Sequence, residues 1–302
     1  MFGKIICGLL FCASVAAQPI KIVVPFSPGG QVDIIAREVQ QTIIAELDRP
    51  VIIDYRLGAG SAIGISSVAR TKTDEVVLMT IDTTAMASVM LAENINIDEF
   101  RYLGRIGSTT TSLAVIKNSN LKNINAWNLL NRPITIGTNG IGGPHHYYTY
   151  KLSQSVKIPI TAVPYKGIAP AINDLLGGHI DAMWGSTNSL LPYAQAGKIE
   201  FVATISTKRL TEIPDGITFG ELGYSAVGSP TVWMIVANST ADPKTLQKIS
   251  ELFGKIVKDT QSSLYKNTGL LADPDKYFQA RNSLQNRLKQ QLEFSEYLKT
   301  LK

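Results

Sequence analysis

Ser27-Pro28-Gly29-Gly30 follows an apolar run, Ile22 to Phe26, and precedes a helical pattern carrying Asp33 in its first turn. Two adjacent glycines clear side chains from the backbone and tolerate positive φ, so the N–H groups of the turn can converge on one point. A helix N-terminus behind them adds unpaired donors and a favourable partial charge, which is the chemistry of anion binding. A tight turn that binds nothing has the same composition. Three further turns have the same character. Gly58-Ala59-Gly60-Ser61 follows a strand-like run, Asp82-Thr83-Thr84 puts hydroxyls at a strand end, and Thr138 to His146 contains Gly140, Gly142 and Gly143. Asp33, Asp82 and Asp181 are the candidate carboxylates, each in a different loop. Asp33 could meet an amino or hydroxyl group of a ligand, or serve only the helix dipole. His146 could donate to a carboxylate or cap the helix it opens, and Tyr165, Lys166 and Ser186 stand at other strand ends.

Chemistry beyond holding a ligand is not indicated. His145 and His146 are neighbours in a turn, where adjacent residues rarely form a bidentate site, and His179 lies in a separate loop, so no metal is expected. There is no G-x-S-x-G elbow and no Walker lysine. The Gly-Gly turn lacks dinucleotide spacing, so no cofactor is expected. An exported hydrolase or lyase using His146 with Ser27 or Ser186 is the rival class, although no spacing supports that pairing.

The elements that position these turns alternate strand and helix. Ile35, Val39, Ile43 and Leu47 recur every four residues, leaving Arg37, Glu38, Gln40 and Gln41 for solvent. Strands are predicted at Pro50 to Asp54, Glu75 to Ile81, Pro133 to Gly137, Ile158 to Val163, Ile180 to Trp184 and Ile199 to Ile205. Such alternation implies an α/β protein with parallel or mixed sheets covered on both faces. Leu113 to Ile116 and Ser229 to Val236 read as crossings between two α/β domains with a ligand cleft between them. Residues 18–112 and 233–302 are assigned to a discontinuous first domain and residues 113–232 to the second.

The chain has 302 residues, 45% of them hydrophobic, enough for two ordinary cores. Lys4 followed by the apolar run Ile5 to Val15 and by Ala16-Ala17 predicts a signal peptide, residues 1–17, cut near Gln18. The run is shorter than the roughly 20 apolar residues of a spanning helix. Cys7 and Cys12 both fall inside it, so no disulfide or thiol chemistry is expected in the mature chain. The net charge of +5 becomes +4 without Lys4, and its basic residues are scattered, which suits an anionic solute and not nucleic acid.

In order along the chain, Val24-Pro25-Phe26-Ser27-Pro28-Gly29-Gly30 with Asp33 and Arg37, Arg56-Leu57-Gly58-Ala59-Gly60, Val163-Pro164-Tyr165-Lys166-Gly167 and Asp174-Leu175-Leu176-Gly177-Gly178 resemble the Bug-type substrate receptors of tripartite tricarboxylate transporters. The resemblance implies a periplasmic-binding-protein-like jaw that closes on a small carboxylate: a dicarboxylate, tricarboxylate, aromatic acid or acidic amino acid. It also implies a periplasmic location, membrane permease partners and a monomer. The same jaw could serve a sensor kinase. Carried over residue by residue, it places Ser27, Gly29, Gly30, Gly58, Ala59, Gly60, Thr83, Thr84, Thr138, Gly142, His146 and Tyr165 near the cleft. To these the turn positions add Asp33, Ser61, Asp181 and Ser186 as ligand-binding candidates. Tyr55 stands where the family usually has asparagine, and Ser61 where a glycine is common. No arginine cluster lies in the turns, which favours one or two carboxylates over three.

Overall fold

The computed structural model describes residues 18–213 and 215–301; the expected signal peptide, with Cys7 and Cys12, lies outside the described residues. The first sheet opens with strand β1 (Ile20–Val24), helix α1 (Gln31–Leu47), β2 (Val51–Tyr55), α2 (Ala62–Arg70), β3 (Val77–Asp82), α3 (Thr83–Glu93) and β4 (Phe100–Thr109). After Thr110 the chain enters the second sheet with β5 (Thr111–Ile116), β6 (Ile134–Thr138), α4 (Pro144–Ser153), β7 (Ile160–Pro164), α5 (Ile168–Leu176), β8 (Ala182–Ser186), α6 (Thr187–Gln195) and β9 (Ile199–Ile205). It returns with β10 (Thr231–Asn238), followed by α7 (Pro243–Ile256), α8 (Ser263–Thr268), α9 (Ala280–Gln290) and α10 (Leu292–Lys299).

The strand orders are β2-β1-β3-β10-β4 and β7-β6-β8-β5-β9. β1 pairs in parallel with β2 and β3, and β6 with β7 and β8, whereas β10 and β5 run antiparallel to their neighbours. The two antiparallel strands are the crossings, entering each sheet from the other. Both sheets are covered on both faces, which explains why all of β3 and every residue of β1 except Lys21 are buried. The expected α/β architecture is therefore the one observed.

Local differences have local causes. Ile35, Val39 and Ile43 of α1 are buried as expected, but Glu38 is buried too and accepts from Asn267 Nδ2 at 2.9 Å, fastening α8, while Ile44 is exposed. Helix α3 has no sequence signature: Ala85, Met86, Ala87, Val89 and Met90 are all buried, and a helix apolar on every side has no amphipathic period. At the C-terminus, α9 packs on α3, but α10 puts Phe294 into the second core. The Phe294 ring lies 5.4 Å from those of Tyr147 and Tyr150, and Tyr297 stacks on Tyr150 at 4.7 Å. The chain thus passes a third time between the sheets, at Gln291.

Candidate functional site

Between the two sheets lies a cavity of about 200 Å³. The first sheet contributes Phe26 to Val32 and Asp82, the crossing strands contribute Thr109, Thr111, Thr231 and Trp233, and the second contributes Asn139, Pro144, His145, Gly167 to Pro170, Ser186 and Ser189. Most of these follow the C-terminal ends of parallel strands, where open α/β sheets place ligands.

The Gly29-Gly30 turn is held from behind. Asp33 is buried; its carboxylate accepts from the Gly29 N–H at 2.9 Å, the Tyr55 hydroxyl at 2.6 Å and Arg37 Nε at 3.1 Å. Burial alone would raise the Asp33 pKa, but these donors outweigh it and lower the pKa. Tyr55, the departure from the family pattern, therefore has a place in the turn's support, and Arg37 binds both Asp33 and the Tyr55 hydroxyl. Gly29 sits at φ +83°, the left-handed conformation this turn needs, whereas Gly30 is extended at φ −83°. Among the described residues no side chain caps α1, so the donors of its first turn are left for whatever enters the cavity. Replacing Asp33 by Ala strands Gly29, Tyr55 and Arg37 together. It is expected to lower stability by about 2–4 kcal/mol, read by chemical denaturation.

Hydroxyls make the floor. Trp233 Nε1 donates to Thr109 Oγ1 at 2.8 Å, and the Thr231 hydroxyl lies 2.9 Å from that of Tyr148. Asp82, 2% exposed, ends β3; its Oδ1 accepts from the N–H groups of Thr84 and Ala85 at 2.9 and 2.8 Å, capping α3. Burial pushes the Asp82 pKa up to about 6, against those two donors and the field of Arg287. His145 also lines the cavity, and burial lowers its pKa to about 3, so its imidazole is neutral at physiological pH.

A second cavity, of about 650 Å³, shares Phe26, Ser27 and Asn139 with the first. Gly58 to Ala62 form one wall, Gly140 to Gly142 and Tyr165 another, with Leu298 and Leu301 at the edge. The two halves touch here. Ser27 Oγ donates to the Lys166 carbonyl at 2.9 Å, and Gly60 lies against the Ile141 carbonyl so closely that a Cβ there would overlap it. On the far side Asn188 Nδ2 donates to the Gly269 carbonyl at 2.8 Å.

The candidates divide three ways. Ser27, Gly29, Gly30 and Ser186 line the first cavity; Gly58, Ala59, Gly60, Ser61, Gly142 and Tyr165 line the second, which Ser27 also reaches. Asp33, Thr83, Thr84, Thr138, His146 and Asp181 line neither. Thr83 and Thr84 are buried in the first turn of α3, which displaces them from the strand end and leaves Asp82 there instead. Thr138 is buried at the end of β6. Asp181 precedes β8, at the opposite end from the cleft, and is paired with Arg132 at 2.6 Å. His146 lines neither cavity: its Nδ1 accepts from the Gly142 N–H at 3.0 Å, which ties the preceding loop to α4 without capping the helix, and its ring packs against Phe294. That removes the pairing of His146 with Ser27 or Ser186; the Ser186 hydroxyl donates to Ser189 Oγ instead. The crossing threonines, Trp233 and His145 escape sequence reading because only the tertiary crossing brings them to the cavity. For His145 the helical phase of α4 separates it from its neighbour.

Burial also lowers the His146 pKa to about 4. A neutral buried histidine contributes stability above its unfolded value near 6.5, lost as pH falls through the folded pKa. The melting temperature should fall between pH 6.5 and 4, with His146 accounting for about 3 kcal/mol, and the fall should be shallower in His146→Gln. Thermal scans across that range check it.

Comparison with known proteins adds four findings. Residues 35–282 match the family described as "Tripartite tricarboxylate transporter family receptor". Protein BugT of Bordetella pertussis is 28% identical over 239 residues, 76% of this chain and 73% of BugT. Among solved structures, the periplasmic binding protein BugD superposes with a TM-score of 0.78 at 25% identity, covering 93% of this chain and 97% of BugD. MatC from Rhodopseudomonas palustris, solved with bound malate, gives 0.79 at 20% identity, covering 93% and 99%.

Proposed function

The chain belongs to the tripartite tricarboxylate transporter receptor family, periplasmic solute-binding receptors and not enzymes, and from that premise we propose that it captures a small carboxylate in the first cavity and delivers it to the membrane subunits of such a transporter. The observation that carries the proposal is the Gly29-Gly30 turn at the uncapped N-terminus of α1, opening into a cavity that both halves enclose. Bound malate in MatC agrees with a carboxylate as the solute. The chain is taken to be exported and cut near Gln18, so mass spectrometry of the secreted form should find a mature chain starting there. No helix among the described residues is long and apolar enough to cross a membrane.

The test is a thermal-shift screen of small carboxylates on refolded mature protein. A solute at about 100 times its dissociation constant adds about 2.7 kcal/mol and should raise the melting temperature by about 5 °C or more. A complete panel of mono-, di- and tricarboxylates and amino acids without any shift would contradict the proposal.

A further inference from the structure

We propose that the solute in the first cavity carries an ammonium group directed at Asp82, so that the ligand class is a small amino carboxylate with an uncharged side chain and not a dicarboxylate or tricarboxylate. This rests on the carboxylate-receptor reading of the same cavity.

The charges around the cavity decide the class. Among the described residues Asp82 is its one acidic residue, and neither lysine nor arginine lines it. A single carboxylate is served by the N–H groups at the start of α1 without a basic side chain. A second carboxylate would meet hydroxyls, a neutral His145 and the Asp82 carboxylate, with no cation to offset the loss of its water. An ammonium group meets the opposite situation.

Asp82 is also built as an acceptor. Oδ1 is taken by the N–H groups of Thr84 and Ala85, while Oδ2 receives no hydrogen bond from another residue among the described residues. Asp82 lines the cavity and Oδ2 is not one of the sealed-off polar atoms, so the donor it takes comes from water or from a ligand that displaces it. The neighbours that face it supply none. Trp233, opposite Asp82 in the β3–β10 ladder, spends its N–H on Thr109, and on the second half His145 is uncharged. Arg287 of α9, buried and bonded to Ser229 Oγ, acts on Asp82 only through its field and does not line the cavity. The raised pKa of Asp82 fits a carboxylate waiting for a cation. The volume fits as well, since a cavity of 150 Å³ already holds a benzene ring.

Calorimetry on refolded wild-type protein at pH 7.5 should compare neutral amino carboxylates, their deaminated counterparts and dicarboxylates such as succinate. The expected result is that an amino carboxylate binds and that its deaminated counterpart binds at least about tenfold more weakly, the loss of one charged hydrogen bond. Asp82→Asn keeps an oxygen to cap α3. It should weaken the amino carboxylate by about tenfold or more and leave the deaminated acid nearly unchanged. Affinity for the amino carboxylate should fall as pH drops from 7.5 to 5, because protonation of Asp82 removes the acceptor charge. Tighter binding of a dicarboxylate, or affinity that rises as pH falls, would overturn the inference alone and give Asp82 the role of a protonated donor. Binding of no carboxylate of any class would overturn the receptor reading and the inference together.

Discussion

Gly60→Ala is expected to weaken solute binding by at least about tenfold with the fold retained. Gly60 sits at φ +58° in the loop before α2, pressed against the Ile141 carbonyl of the opposite half, and the Cα of Gly60 is in turn 3.4 Å from where a Cβ on Gly140 would lie. A methyl group on Gly60 would occupy the position of the Ile141 oxygen, so the two loops must separate. If binding requires the enclosed form, apparent affinity falls with the fraction of molecules that can reach it. Alanine in a left-handed conformation also carries a local penalty of about 1–2 kcal/mol. Gly178→Ala is the control, because Gly178 has φ +73° and nothing within 4 Å of the added Cβ. Both variants should lose comparable stability, and only Gly60→Ala should lose affinity in calorimetric titration. Equal affinity of Gly60→Ala and wild type would mean that contact between these loops has no part in holding the solute.

Gly30→Val should have an effect of similar size by a different route. Gly30 is extended, so its replacement brings no φ strain, and the nearest atom to an added Cβ is the Ser27 carbonyl oxygen at an ordinary 3.6 Å. The chain should therefore fold normally. The isopropyl group lies beside the N-terminus of α1, in a cavity of only about 200 Å³, and displaces the anionic end of the solute from its donors. Losing one or two hydrogen bonds to a charged group, about 1.5–3 kcal/mol each, weakens binding by at least about tenfold. Gly29→Val differs: at φ +83° it strains the turn itself and should show first as lost stability.

The βα series, the two crossings and the glycine turns were legible in the sequence because each rests on local pattern: four-residue spacing in α1, apolar runs in buried strands, paired glycines before helices. The helix α3 was not, since residues buried on all sides carry no period, and with it went the true position of Thr83 and Thr84. Asp33 was correctly located at the start of α1, but its partners Tyr55 and Arg37 come from β2 and the next helical turn. Its task as the brace of Gly29 therefore becomes visible only in three dimensions. The same holds for the choice between His145 and His146: composition marks the pair, and only the tertiary packing shows that His145 lines the cavity while the His146 ring packs against Phe294. The floor joins Thr109 and Thr111, on either side of the first crossing, to Thr231 on the strand that returns, a pairing that no local spacing rule reaches.

The central claim is that the cavity between the sheets holds one small carboxylate on the Gly29-Gly30 turn. Its most direct test is to denature the purified protein, identify the released solute by mass spectrometry, refold, and titrate that solute into wild-type and Gly30→Val protein by calorimetry. The predicted result is one carboxylate released per chain, rebound by wild type at a one-to-one ratio and held at least about tenfold more weakly by Gly30→Val. A solute without a carboxylate, or a folded Gly30→Val protein that binds it as tightly as wild type, would contradict the account.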